Sequence, residues 1–214
     1  MSTHTEPGIN PERVLWSAKE RDRANRPLLV MMHGWSYDET HLFQLVPELP
    51  RDLVVVSVRA RIAEAGGYAW FPSAGNPIGD PRPDVANAAS LSVLSWLDTL
   101  HAAPSIGLLG FSQGGAMVLQ LMRHSPARFA YGVSLAGFVV NDSQPGDPKL
   151  ASSRPPVFWG RGEQDRVIPG SALKRTDAWL SAHAKADVRV YPHLGHDVAG
   201  AEITDLASFV SDHV

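Results

Sequence analysis

Ser112 stands between two glycines in Gly110-Phe111-Ser112-Gln113-Gly114. The apolar run Ile106-Gly107-Leu108-Leu109 precedes it, and the helix-like segment Gly115-Ala116-Met117-Val118-Leu119-Gln120-Leu121-Met122 follows at once. Strand, sharp turn and helix form the context in which G-x-S-x-G makes a nucleophile elbow, with the serine hydroxyl pushed clear of the sheet by a strained backbone. The flanking residues must be small because the turn brings their backbones close together. The N-terminus of the following helix aims free amides, beginning with that of Gln113, at negative charge developing beside the serine. That arrangement suits acyl transfer. The bland alternative is a glycine-rich strand-to-helix turn with a solvated serine. Ser134, in Gly132-Val133-Ser134-Leu135-Ala136-Gly137, also follows an apolar run, but it lacks the second glycine at the right offset and is read as a strand residue.

A serine hydroxyl needs a base to take its proton, and the base needs an acid to fix its tautomer and stabilise its charged form. In α/β-hydrolases the chain order is Ser, then Asp or Glu, then His. Asp165, in Gly160-Arg161-Gly162-Glu163-Gln164-Asp165 after the run Val157-Phe158-Trp159, fits the acid; Glu163 and Asp142 are its rivals. An aspartate that only satisfies its own turn is the alternative role. His196, in Tyr191-Pro192-His193-Leu194-Gly195-His196, fits the base, with Gly195 expected to allow the tight backbone that swings the ring inward. His193 is its rival. The two histidines with Asp197 could also be read as metal ligands, but one H-x-x-H on a loop with no further ligand cluster gives that little support. His4, His41, His101, His124, His183 and His213 are expected to face solvent.

An oxyanion hole would combine the amide of Gln113 with one from the loop after the strand ending in His33-Gly34, which places the second donor at Trp35. Ester-binding pockets are mostly apolar. Trp35, Trp70, Phe71 and Phe138 are therefore the expected substrate contacts.

The elements that must hold these residues alternate between apolar runs and helical patterns, which argues for βαβ units and an α/β fold with a mostly parallel central sheet flanked by helices. Strands are expected at 27–32, 53–58, 105–109, 131–138, 156–159 and 188–191, with an N-terminal edge strand at 14–19. Helices are expected from 85 to 101, after Ser112 as far as His124, over 171–183 and over 200–213. In the first of these, Leu91, Leu94, Leu97 and Leu100 form much of one face. Two stretches break the rhythm. Residues 66–83 are dense in Gly and Pro and carry Tyr68, Trp70 and Phe71, so they are read as a substrate-facing rim. Residues 141–156 are read as a second surface loop.

The 214 residues suffice for one sizeable core, and the chain is read as one domain over 1–214 with a flexible N-terminal segment at 1–12. A net charge of −3 leaves no electrostatic footprint for nucleic acid. No window approaches a membrane-spanning run. The polar start, without an apolar h-region, makes a cleaved signal peptide unexpected and a cytoplasmic location the default. The absence of cysteine excludes disulfides, thiolate metal sites and a cysteine nucleophile. Oligomeric state is not legible.

The chain resembles the phospholipase/carboxylesterase family of α/β-hydrolases, relatives of the acyl-protein thioesterases. The resemblance is carried by His33-Gly34 after a hydrophobic strand, Trp70-Phe71, Gly110-Phe111-Ser112-Gln113-Gly114-Gly115-Ala116, Asp165 ahead of Val167-Ile168-Pro169, and Gly195-His196. It implies Ser112, Asp165 and His196 as a triad, no metal or other cofactor, and no large lid. Dienelactone hydrolases, its neighbours, carry cysteine at the nucleophile position. The family commonly has histidine where Arg161 stands. The expectation is an esterase with an open site for small or short-chain esters. A lysophospholipase or acyl thioesterase on the same triad is the alternative within hydrolases, and a non-catalytic small-molecule binder on the same fold is the alternative outside them.

Overall fold

The computed structural model describes residues 6–214. Short runs of consecutive apolar residues form strands covered on both faces, as parallel sheets require. β2 (Leu28–Met32) and β7 (Tyr131–Leu135) are buried at every position. β3 (Val54–Ala60) and β6 (Ile106–Phe111) are buried at all but one. With β1 (Ile9–Trp16), β8 (Pro156–Gly162) and β9 (Lys185–Tyr191) they make a seven-stranded sheet in the order β1-β3-β2-β6-β7-β8-β9. β1 runs antiparallel to β3, and every other neighbouring pair is parallel.

Alternation along the strands sends side chains into two layers. Leu28, Val30 and Met32 face a core shared with α2 (Pro83–Leu97), α3 (Gln113–His124) and α5 (Gly170–His183). Leu29 and Met31 face a second core closed by α1 (Thr40–Phe43) and α6 (Ala201–Ser211). Among the described residues no cap domain is inserted. The two long connections carry only a small hairpin, β4 (Ile62–Glu64) with β5 (Gly67–Ala69), and the short helix α4 (Asp147–Ser153).

Strand order reverses between β2 and β6, because the chain runs outward from β2 to β3 and then returns to place β6 on the other side. Such a switch point opens a crevice beyond the carboxyl ends of the strands. The residues after β2 begin with His33, and the residue after β6 is Ser112. Topology thus brings the two sequence motifs side by side.

Several expectations are corrected. The N-terminal strand starts at Ile9, not Val14, so residues 9–12 are strand rather than flexible segment; His4 and the rest of 1–5 lie outside the described residues. The expected strand 131–138 stops at Leu135, and the helix expected to reach His101 stops at Leu97. Leu91 is exposed; the buried face of α2 is instead Ala86, Ala89, Ser90, Val93, Leu94 and Leu97. Small residues there let α2 lie close to α3, which is buried along almost its whole length. His101 is exposed as expected. His41, His124, His183 and His213 are partly buried, and the last three are hydrogen-bonded.

Candidate active site

Ser112 has φ 54° and ψ −114°, a region that non-glycine residues avoid and that persists only where the surroundings enforce it. Three contacts enforce it. The Ser112 amide donates to the Leu135 carbonyl at 2.8 Å, and Gly110 and Gly114 pass too close to other backbone to admit a Cβ. A Cβ on Gly110 would overlap the Gly114 carbonyl oxygen, and one on Gly114 would overlap that of Met32. Ser134 lies on β7, fully buried, its hydroxyl donating to the Gly115 carbonyl.

His196 Nε2 lies 2.8 Å from Ser112 Oγ, and His196 Nδ1 lies 2.7 Å from Asp165 Oδ2. The three side chains, spread over 84 residues of chain, are therefore in hydrogen-bond contact. Asp165 divides its oxygens. Oδ1 accepts from the amides of Val167 and Ile168, and Oδ2 faces the imidazole. Burial alone would raise the Asp165 carboxyl, but the hydrogen bonds from His196, Ile168 and Val167 outweigh it and hold the group below the ordinary aspartate range. An ionised carboxylate on Nδ1 favours the tautomer that leaves Nε2 free to accept from the serine. The Phe111 ring packs against His196 with centroids 4.9 Å apart.

The rivals lie elsewhere. His193 is exposed and near Gln164, Glu163 is exposed, and Asp142 pairs with Arg123. Among the described residues no group of three or more His, Cys, Asp or Glu is placed to hold a metal ion. Gly195 also differs from expectation: open space surrounds the place of its Cβ. The tight passage is Gly162, where a Cβ would overlap the carbonyls of Leu194 and Gly195.

A cleft of about 510 Å³ adjoins Ser112 and His196, with Trp35, Tyr37, Phe71, Ile78, Phe111, Phe138 and Val167 as its apolar walls. Trp70 is not among them. It is fully buried, its indole N–H donating to the His33 carbonyl at 2.9 Å, so it supports the cleft from behind. His33 is buried too. Its Nδ1 donates to the Gly34 carbonyl at 2.7 Å and its Nε2 accepts from the Ala60 amide at 3.0 Å, which makes it a neutral cross-link between the ends of β2 and β3. Desolvation pushes its pKa down to about 4. Gln113, as the first residue of α3, has an amide with no carbonyl one turn earlier to bond. Among the described residues the Trp35 amide donates to no backbone carbonyl.

A model of the phospholipase/carboxylesterase family matches residues 17–214. The chain belongs to that family. Among curated proteins, this phospholipase/carboxylesterase family member is 30% identical over 197 residues to an acyl-protein thioesterase 1 of Kluyveromyces lactis, a match covering 83% of this chain and 85% of that one. It is 28% identical over 161 residues to a protein of Oryza sativa named "Probable carboxylesterase", covering 68% of this chain and 58% of the rice protein's length. Its fold, the α/β-hydrolase fold, is shared with a Bacillus cereus carboxylesterase at TM-score 0.80 and 18% identity, over 94% of each chain. A phospholipase/carboxylesterase from Dyadobacter fermentans superposes at TM-score 0.74 and 20% identity, over 98% of this chain and all of that one.

Sequence reasoning missed Tyr37, Phe111, Ile78 and Val167 as walls, and it missed the side chain of Gln113. Gln113 Oε1 accepts from the Trp70 amide at 2.7 Å and Nε2 donates to the Phe71 carbonyl at 2.8 Å. Phe111 was visible as the variable position of the elbow motif. The others carry no local signal, since each depends on what a distant segment places opposite it.

Proposed function

We propose that this chain is a serine hydrolase of carboxylic esters, with Ser112 as nucleophile, His196 as general base and acid, and Asp165 as the group that orients it. One observation carries the reading: the unbroken Asp165–His196–Ser112 relay, at 2.7 and 2.8 Å, opens directly on the apolar cleft.

His196 takes the Ser112 proton as Oγ bonds to the ester carbonyl carbon. The carbonyl oxygen gains negative charge, which the amides of Gln113 and Trp35 receive without reorganising. As the tetrahedral intermediate collapses, the carbon–oxygen bond to the leaving group breaks and His196 protonates the departing alcohol. A water then gives its proton to His196 and attacks the acyl-enzyme, releasing the acid and restoring Ser112. Phe71 and Phe138 would hold the acyl or alcohol part by apolar contact. No cap covers the cleft among the described residues, which suits small or short-chain esters.

A thioester is the second reading, favoured by the likeness to the yeast acyl-protein thioesterase. Matched oxygen and thiol esters of butyrate separate the two. Fluorophosphonate labelling mapped by mass spectrometry is the test of the common chemistry, with Ser112 the only labelled residue. Ser112→Ala should abolish both labelling and p-nitrophenyl butyrate hydrolysis. Wild-type turnover in Ser112→Ala would remove the assignment.

A further inference from the structure

Glu64 lies outside the relay and outside the cleft lining, yet it joins two of the cleft's walls. Trp35 follows β2 and Ser73 follows β5; the backbone of Ser36 and Tyr37 already pairs with Tyr68 of β5, and Glu64 adds a side-chain link between Trp35 and Ser73. The Trp35 indole N–H donates to Glu64 Oε2 at 2.9 Å. The Ser73 hydroxyl donates to Oε1 at 2.5 Å, and the Ser73 amide donates to the same carboxylate at 3.2–3.3 Å. One carboxylate at the end of β4 thus receives three donors from two separate segments.

Trp35 is 41% exposed, and an aromatic ring at a rim is otherwise free to change rotamer. The bond to Glu64 fixes its edge against the Ser73 segment. That segment is tied a second time, because Gln113 holds the backbone of Trp70 and Phe71. Trp35 and Ser73, both of which line the cleft, are thus linked through one carboxylate. Hydrogen bonds from Ser73 and Trp35 outweigh burial and keep the Glu64 carboxyl below its usual range, so the link is ionised, and therefore strongest, at neutral pH.

We propose that Glu64 is a positioning residue that closes one wall of the cleft through Trp35 and Ser73 and thereby sets the upper limit on acyl-chain length. This rests on the hydrolase reading above. Glu64 touches no reacting atom; it acts by where it holds the indole.

The experiment compares kcat/KM for p-nitrophenyl butyrate and octanoate in wild type, Glu64→Ala, Trp35→Phe and the double variant. One methylene accepted or refused by an apolar pocket is worth roughly tenfold or more. Glu64→Ala should therefore raise the octanoate-to-butyrate ratio by about tenfold or more. Trp35→Phe, which removes the indole donor but keeps an aromatic ring, should move the ratio the same way. The double variant should add little to either, as expected of partners in one link. Glu64→Gln keeps one acceptor and should restore part of the wild-type ratio. A merely structural glutamate would lower both esters equally, and that result overturns the proposal. Additive effects of Glu64→Ala and Trp35→Phe overturn it too. Should Glu64→Ala lose its fold, Trp35→Phe and Ser73→Ala decide the question by the same ratio. Fluorophosphonate labelling of Ser112 keeps the two readings apart. If wild type is labelled but the ratio does not move, Glu64 alone is wrong; if Ser112 is not labelled, the hydrolase reading falls and this proposal with it.

Discussion

Gly162 packs directly beneath Leu194: a Cβ added to Gly162 would overlap the Leu194 carbonyl oxygen. Gln164 donates its amide to that same carbonyl at 2.9 Å. The loop that carries Asp165 and the loop that carries His196 are thereby held as one unit, so their 2.7 Å contact depends on a missing side chain at position 162.

Gly162→Ala should therefore push the two loops apart. Overpacking of this kind costs about 1–3 kcal/mol, and ester turnover should fall further than stability alone explains. Gly195→Ala, with open space at its Cβ, should stay within about 0.5 kcal/mol of wild type. Thermal melts and kcat for the pair check this. Equal effects at the two positions would mean that the loops are not coupled through Gly162.

Gln113→Ala removes the partner of the buried Trp70 amide, and an unpaired buried donor costs about 1–3 kcal/mol. Phe71 loses its anchor at the same time. The backbone amide of residue 113 remains, so KM for p-nitrophenyl butyrate should rise more than kcat falls. Steady-state kinetics separate the two, and a pure kcat loss would place the side chain in the chemistry instead.

Glu202, on α6, is 1% exposed, and neither carboxylate oxygen has a hydrogen-bond partner. Desolvation first, then repulsion from Asp197 and Asp205, pushes its pKa up to about 8. The folded state thus keeps a proton that the unfolded state releases above about 4.5. Its contribution to stability is fully present below that pH and is lost as pH rises through about 8. Within this window the slope approaches about 1.4 kcal/mol per pH unit. Glu202→Gln cannot ionise, so its stability relative to wild type should climb steadily between these pH values in denaturant titrations. A constant difference would show that Glu202 does not titrate there.

His33 titrates with the opposite sign. Burial keeps it neutral in the folded state down to about pH 4, whereas the unfolded imidazole takes a proton near 6.5. The unfolded state binds more protons between these values, so stability is present above 6.5 and is lost as pH falls through about 4. At about 1.4 kcal/mol for each tenfold change in proton affinity, the full loss is on the order of 3 kcal/mol. His33→Gln should start less stable at pH 7 and show a flatter acid limb. Urea midpoints from pH 7 to 4 measure this, and parallel curves would remove His33 as a source of acid lability.

Strand and helix identity was largely legible because burial on both faces leaves unbroken apolar runs, as at Leu28–Met32 and Tyr131–Leu135. Boundaries were less so. β1 (Ile9–Trp16) mixes buried and exposed positions at the sheet edge, so its first half looked like tail. Leu91 was misplaced because a leucine at helical spacing resembles a core residue, while the alanines that fit the close packing of α2 on α3 resemble nothing in particular.

By itself the sequence determined the types and chain order of Ser112, Asp165 and His196 and the sharp turn that presents the serine, since glycine spacing and apolar runs are local properties. Only the tertiary structure decided that Trp70 supports the cleft from within rather than lining it, that Gly162 and not Gly195 makes the close approach, and that Glu64 ties Trp35 to Ser73. Each of those facts is a contact between segments that are remote along the chain. Such a contact is set by strand order and layer packing, which bring the segments together, and leaves no periodicity or motif in either segment alone.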